Sequence, residues 1–200
     1  MSSDPDSSTA RLVLASSSPY RRQLLQRLQT PFVHAAPNID ESPRTGETVR
    51  ALVSRLAHAK ARAIAKDHPN AVIIGSDQVA TRGDTVLGKP GSAAGAREQL
   101  LACSDQEVSF LTSAVVIDPA RASVEEHLDE TRVSFRTLQP DEIDRYIARE
   151  KPYDCAGGFK VEKLGITLFW RVRSDDPTAL TGLPLIWVAS ALRRCGFDLP

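Results

Sequence analysis

From Arg11 onward, short apolar runs alternate with stretches whose apolar residues recur at spacings of three and four, which predicts an α/β domain with helices covering a sheet. Leu12 to Ala15 reads as the first strand. Ser16 to Pro19 break it, and Leu24, Leu25 and Leu28 stripe a short helix that starts near Tyr20. Phe32 to Ala35 predicts a second strand, followed by a loop from Pro37 to Gly46. Val49, Leu52, Val53, Leu56, Ala59 and Ala63 then keep helical spacing to about Lys66, with Lys60 near the middle, until His68-Pro69-Asn70 stops the helix. Ala71 to Gly75 is a continuous apolar run, as in a buried strand. Ser76-Asp77-Gln78 is expected at its carboxyl end, where open α/β sheets bind ligands.

Arg82-Gly83-Asp84 predicts a hairpin turn into Val86-Leu87, ahead of Gly88-Lys89-Pro90 and a helix from Ala93 to Cys103. Val108 to Ile117 and Val124 to Phe135 read as a long antiparallel pair turning at Asp118-Pro119, so the sheet is expected to be mixed. Pro140-Asp141-Glu142 starts a further helix, and Leu185, Val188, Ala189 and Leu192 outline a C-terminal one. Residues 1–9 are polar and read as a disordered tail before one domain over 10–200.

Charge removes several functional classes. Lys plus Arg and Asp plus Glu both number 25, so no global field draws the chain to DNA or acidic lipid, and any anion site must be local. No basic patch with interleaved aromatics suggests a nucleic-acid partner, and no apolar run approaches the ~18 residues of a membrane span. The start lacks the basic and apolar regions of a signal peptide, and the three cysteines are widely spaced without a C-x-x-C pair; both features predict a cytoplasmic protein.

Three groups of residues could carry chemistry. Ser16-Ser17-Ser18-Pro19-Tyr20-Arg21-Arg22 joins a strand to a helix N-terminus, where backbone N–H groups, hydroxyls and guanidiniums suit phosphate oxygens; a serine cap with two solvated arginines is the plainer alternative. Asp40, Glu41 and Asp77 could gather as ligands of a hard divalent cation, or Asp40 and Glu41 could be an exposed acidic loop. A charge placed directly after Val72-Ile73-Ile74 requires a lysine or metal neighbour. Lys60, Lys89 and Lys160 have the settings least like a solvated face, although such lysines commonly snorkel at the surface. The histidines show no zinc spacing, and the serines lack the G-x-S-x-G elbow.

The order of these motifs is more specific than any one of them. Leu14 to Arg22, Asp40-Glu41, Lys60-Ala61, Gly75-Ser76-Asp77-Gln78-Val79, Gly88-Lys89-Pro90, Gly157-Gly158-Phe159-Lys160 and Gly182-Leu183-Pro184 together resemble the Maf family of nucleotide pyrophosphatases over about residues 11 to 195. The resemblance implies a Maf/ITPase-like α/β fold, with an elongated mixed sheet flanked by helices and two lobes with a cleft between them. It also implies hydrolysis of a nucleoside triphosphate between the α and β phosphates with a divalent cation, Mg²⁺ or Mn²⁺. Asp77 matches the family's proton acceptor, and Asp77 with Glu41 its metal-binding positions. Ser16, Ser18, Arg21, Arg22, Lys60, Lys89 and Lys160 match its substrate-binding residues, and a homodimer is ordinary for the family. Tyr20, Gln78 and Glu162 fall where the family varies with substrate preference, and they resemble the branch acting on 7-methyl-GTP rather than the dTTP/UTP branch.

Chemistry independent of the resemblance agrees with that branch. N7-methylation leaves guanine positively charged, which favours an aromatic face and a carboxylate accepting from the N1–H and 2-amino edge. Lys163 departs from the branch by adding a cation beside Glu162, and Leu111-Thr112-Ser113 stands where many relatives show a Tyr-Thr-Gly type stretch. The alternatives are a dTTP/UTP pyrophosphatase of the same family and a non-catalytic nucleotide-binding regulator of cell division.

Overall fold

Four consecutive residues without solvent exposure, Leu12–Ala15 (β1), run through the centre of one end of the molecule. A computed structural model of the protein describes residues 11–200; the tail expected over residues 1–9 lies outside the described residues. After β1 come a short helix, Pro19–Gln26 (α1), an edge strand, Val33–Ala35 (β2), and the long helix Val49–Ala65 (α2), each within a residue or two of the boundaries that the apolar spacing predicts. The strands Val72–Arg82 (β3) and Thr85–Leu87 (β4), the helix Ala93–Cys103 (α3) and the long strands Glu107–Asp118 (β5) and Ser123–Phe135 (β6) follow. The helix Pro140–Glu150 (α4), the strand Phe169–Arg173 (β7) and the helix Leu185–Arg194 (α5) complete the order.

Among the described residues, the seven strands form one mixed sheet in the order β2-β1-β3-β5-β6-β7, with β4 also paired to β3. β1 is parallel to β2 and β3, and the remaining pairs are antiparallel. At one end, α2 packs on one face through Ala57, Ala61 and Ile64 against Val13 and Ile73, while α1 and α5 cover the other through Leu25, Val188 and Leu192 against Leu14 and Ile74. At the far end, α3 and α4 bury Leu100, Ile143 and Ile147 against Phe110, Val133 and Phe135. These two ends are the expected lobes, and β3, β5 and β6 run through both.

Two differences from the sequence reading matter for the site. Asp77 does not end its strand, because β3 continues through it to Arg82 as β1 is succeeded by β4 along the same edge. The pairing with β1 stops at Gly75 and that with β4 starts at Ala80, so Ser76 to Val79 have no neighbour on that edge among the described residues. β7 is not anticipated by the sequence reading; it is a five-residue edge strand held to β6 through a bulge.

Candidate functional site

The gap in the sheet edge beside Ser76 to Val79 opens into a cleft of about 490 Å³, within the usual range for small-molecule sites. Alternation along β3 sends Asp77 toward α2, while Gln78 turns to the opposite face, toward residues 179–182. Gly75 lets α2 come close. A Cβ there would lie 2.4 Å from the Ala57 carbonyl oxygen and 2.8 Å from the Ala61 Cβ. That contact brings Lys60, on the same helical stripe as Leu52 and Leu56, down to Asp77.

Lys60 is 6% exposed, and its ammonium donates to Asp77 Oδ1 at 2.6 Å, with Glu41 Oε1 3.0 Å away. One buried cation thus holds two carboxylates, which supplies the partner that a charge beside Val72 to Ile74 requires. Asp77 Oδ2 has no protein donor among the described residues and remains available to a water or cation. The loop carrying Glu41 is fastened by Glu47, which bonds Arg55 through both oxygens, at 2.6 and 2.8 Å, and accepts from Arg44 N at 3.0 Å. The Arg55 bond, with the Arg44 backbone amide assisting, lowers the Glu47 carboxyl from 4.5 to about 2. Asp40 instead accepts from Ser42 N and does not join the other two carboxylates.

Across from Asp77, Ser16 Oγ accepts from Ser18 N at 3.1 Å, and Ser18 caps α1 by accepting from Arg21 N. Both hydroxyls therefore keep their protons for an anionic oxygen. Arg21 donates through Nε to the Gly182 carbonyl at 2.8 Å, and Ser76 Oγ donates to the same oxygen at 2.9 Å. Burial lowers the Arg21 pKa, while the Asp77 and Glu41 carboxylates act in the opposite direction; it stays charged and its fork faces the same space as theirs. Lys89, on an exposed loop held by the bond from Gln99 Nε2 to Gly88 O, completes the cationic lining.

Tyr20, Gln78 and Glu162 line the other part of the cleft. Burial, a bond from Cys155 and the neighbouring Asp154 and Glu162 charges push the Tyr20 phenol up, so it stays neutral. Phe159 anchors the loop carrying Cys155 and Glu162, meeting Phe110, Phe135 and Phe169 edge to face at 5.3, 5.5 and 4.7 Å. The Cys155 thiol is pushed up to about 11, chiefly by burial, which makes it a poor nucleophile at neutral pH.

Two expected residues stay outside this lining. Arg22 is turned about 100° from Arg21 by the helix and meets His34 Nε2 at 3.2 Å. Lys160 donates through Nζ to the Glu150 carbonyl at 3.0 Å, capping the C-terminus of α4, while its backbone N–H donates to Tyr146. Conversely, Asp154, Cys155, Phe110 and Thr181 line the cleft although sequence reasoning gives them no role. Proximity of the first two to the Gly157-Gly158 motif is the signal that could have found them.

Oxygen donors from Glu41 and Asp77 fit a divalent cation such as Mg²⁺, which takes one or two carboxylates and completes its shell with substrate phosphates. Among the described residues no group of three or more His, Cys, Asp or Glu side chains is arranged around a common point, so the remaining ligands would come from substrate and water. The arrangement can hold a phosphate chain, neutralise its charge and take a proton from water beside it.

A family model described as "Maf-like protein" matches residues 11–195. The chain is 54% identical over 191 residues to a protein of Xanthomonas oryzae pv. oryzae (strain MAFF 311018) named 7-methyl-GTP pyrophosphatase, covering 95% of this chain and 99% of that protein. A protein of the same name from Alcanivorax borkumensis is 50% identical over 192 residues, covering 96% and 98%. The Ham1 protein of Staphylococcus aureus has a TM-score of 0.51 at 14% identity, covering 92% of this chain and 98% of that one, and is similar in fold.

Proposed function

The chain belongs to the Maf family, and we propose that it hydrolyses 7-methyl-GTP between the α and β phosphates, releasing 7-methyl-GMP and diphosphate and so removing a modified nucleotide from the pool. The observation that carries this reading is the Lys60-bridged pair of Asp77 and Glu41, facing the serine loop in the cleft that also holds Tyr20, Gln78 and Glu162. The names of relatives about half identical over nearly the whole chain support the substrate.

In this reading Ser16, Ser18, Arg21 and Lys89 bind the phosphate chain, and Lys60 fixes Asp77 with Oδ2 free. Asp77 takes a proton from water as the water oxygen bonds to the α-phosphorus. The bond from that phosphorus to the bridging oxygen breaks, and diphosphate leaves. Glu41 and Asp77 would hold Mg²⁺ or Mn²⁺, which when bound neutralises charge developing on the phosphoryl oxygens. Tyr20 offers its face to the cationic methylated ring, and the Glu162 carboxylate accepts from its N–H edge. A regulator that only bound nucleotide would have no use for a base poised beside the phosphates. The free cysteines, Cys103 and Cys195 both buried, support a reducing cytoplasmic setting. Among the described residues no helix is long and apolar enough to cross a membrane.

The test is a substrate panel. Purified protein with Mg²⁺ or Mn²⁺ is given 7-methyl-GTP, GTP, dTTP or UTP, and monophosphate, diphosphate and orthophosphate are quantified. Selective conversion of 7-methyl-GTP to monophosphate and diphosphate is expected. Preference for dTTP or UTP would overturn the base assignment, and orthophosphate as the first product would overturn the bond assignment.

A further inference from the structure

The Gln78 carboxamide has a polarity that its surroundings determine. Its Nε2 lies 2.9 Å from Thr112 Oγ1, 2.9 Å from the Ala179 carbonyl and 3.1 Å from the Leu180 carbonyl. The two carbonyls can only accept. The Thr112 hydroxyl, without solvent exposure, donates its own proton to Ala179 O at 3.0 Å and so can only accept from Gln78. A flipped amide would set its oxygen against two carbonyl oxygens and leave buried acceptors unmet. Nε2 therefore points inward, and Oε1 is the polar atom of Gln78 left without a protein partner among the described residues. Gln78 and Thr112 are also direct cross-strand partners of β3 and β5, so the backbone register fixes the pair.

We propose that Thr112 is a positioning residue for base selection: together with the Ala179 and Leu180 carbonyls it holds Gln78 with its oxygen toward the cleft, so that Gln78 and Glu162 together present acceptors only. Such a wall suits a purine edge with adjacent N–H donors, the N1–H and 2-amino group of guanine. It disfavours uracil or thymine, whose single N–H is flanked by two carbonyl oxygens. The inference rests on the base-recognition reading above and adds a side chain that, with the two carbonyls, sets the polarity of that pocket.

Two measurements test it. In ¹⁵N-labelled wild-type protein, the side-chain amide protons of Gln78 are expected to exchange with solvent at least about tenfold more slowly than those of exposed Gln26, since a protected donor must break its bonds first. Exchange as fast as at Gln26 means the nitrogen faces the cleft and overturns the inference, with no variant needed. Second, kcat and KM for 7-methyl-GTP and UTP are compared in wild type, Thr112→Val and Thr112→Ser. Valine keeps the shape but cannot accept, so KM for 7-methyl-GTP is expected to rise about tenfold, about the worth of one hydrogen bond, with kcat and the UTP constants nearly unchanged. Serine is expected to restore KM. Equal losses on both nucleotides, or a loss confined to kcat, would show a merely structural role and overturn the inference. A wild type that prefers 7-methyl-GTP with an unchanged valine variant overturns it alone; a wild type without that preference removes the base reading and this inference with it.

Discussion

Side chains alike in sequence separate sharply in this cleft. Arg21 and Arg22 are neighbours in one motif, yet Arg21 turns into the cleft beside Gly182 while Arg22 meets His34 on the sheet edge. Arg21→Ala is therefore expected to lower kcat/KM on the order of a hundredfold, as loss of a fixed cation at a phosphate, and Arg22→Ala about threefold or less; equal losses would contradict the geometry. Residue types called for a lysine or metal beside Asp77, because a buried charge needs a partner, and the structure shows that of the three candidate lysines it is Lys60. They did not reveal that Lys160 caps a helix, since nothing in Gly157-Gly158-Phe159-Lys160 says which way the loop folds back. Glu162→Ala is expected to raise KM for 7-methyl-GTP about tenfold, the worth of one charge-assisted bond, while leaving UTP unchanged; steady-state kinetics with both nucleotides decide it.

Elements carried by long apolar runs or helical spacing were the most legible. β5, β6 and the α3 helix fall where the sequence predicts: β5 is buried along nearly its whole length, β6 over its last residues, and α3 buries Ala96, Leu100 and Cys103. What could not be read was where strands change neighbours. β3 looks like a strand ending at Gly75 because its apolar run stops there, whereas the structure continues it past an unpaired edge that becomes the site. The sequence shows Gly75 without its reason, which is that a Cβ there would lie 2.4 Å from the Ala57 carbonyl oxygen of α2. Gly75→Ala is expected to destabilise the protein by about 1–3 kcal/mol, as overpacking does, and to cost activity as well by moving Lys60 from Asp77; chemical denaturation and kinetics on the same variant test both. The loop bearing Glu41 depends on Glu47, whose carboxyl is lowered from 4.5 to about 2. A lowered carboxyl contributes stability that is complete above its unfolded value and lost as pH falls toward the folded one. The difference in Tm between wild type and Glu47→Gln is thus expected to be constant above about pH 5 and to shrink on acidification; a difference that widens would contradict the assignment.

The molecule as a whole was legible as an α/β domain with a mixed sheet; its two lobes followed from the family resemblance rather than from the apolar pattern, and the structure gives each its own core. Since β3, β5 and β6 traverse both lobes, their unfolding is expected to be one cooperative event. Trp170 on β7 and Trp187 on α5 report on opposite ends. Trp170→Phe and Trp187→Phe variants, each leaving one fluorophore, should give coincident urea midpoints once corrected for their own stabilities by circular dichroism. Separated fluorescence and dichroism transitions would mean the lobes unfold independently.

The measurement that tests the central claim most directly is the rate at which Asp77→Asn converts 7-methyl-GTP to 7-methyl-GMP and diphosphate, beside wild type at neutral pH, with circular dichroism confirming that both are folded. Asparagine retains the shape but cannot take the proton, so a loss of about 10²–10⁴ in kcat is expected. A folded variant with near wild-type turnover would contradict the account.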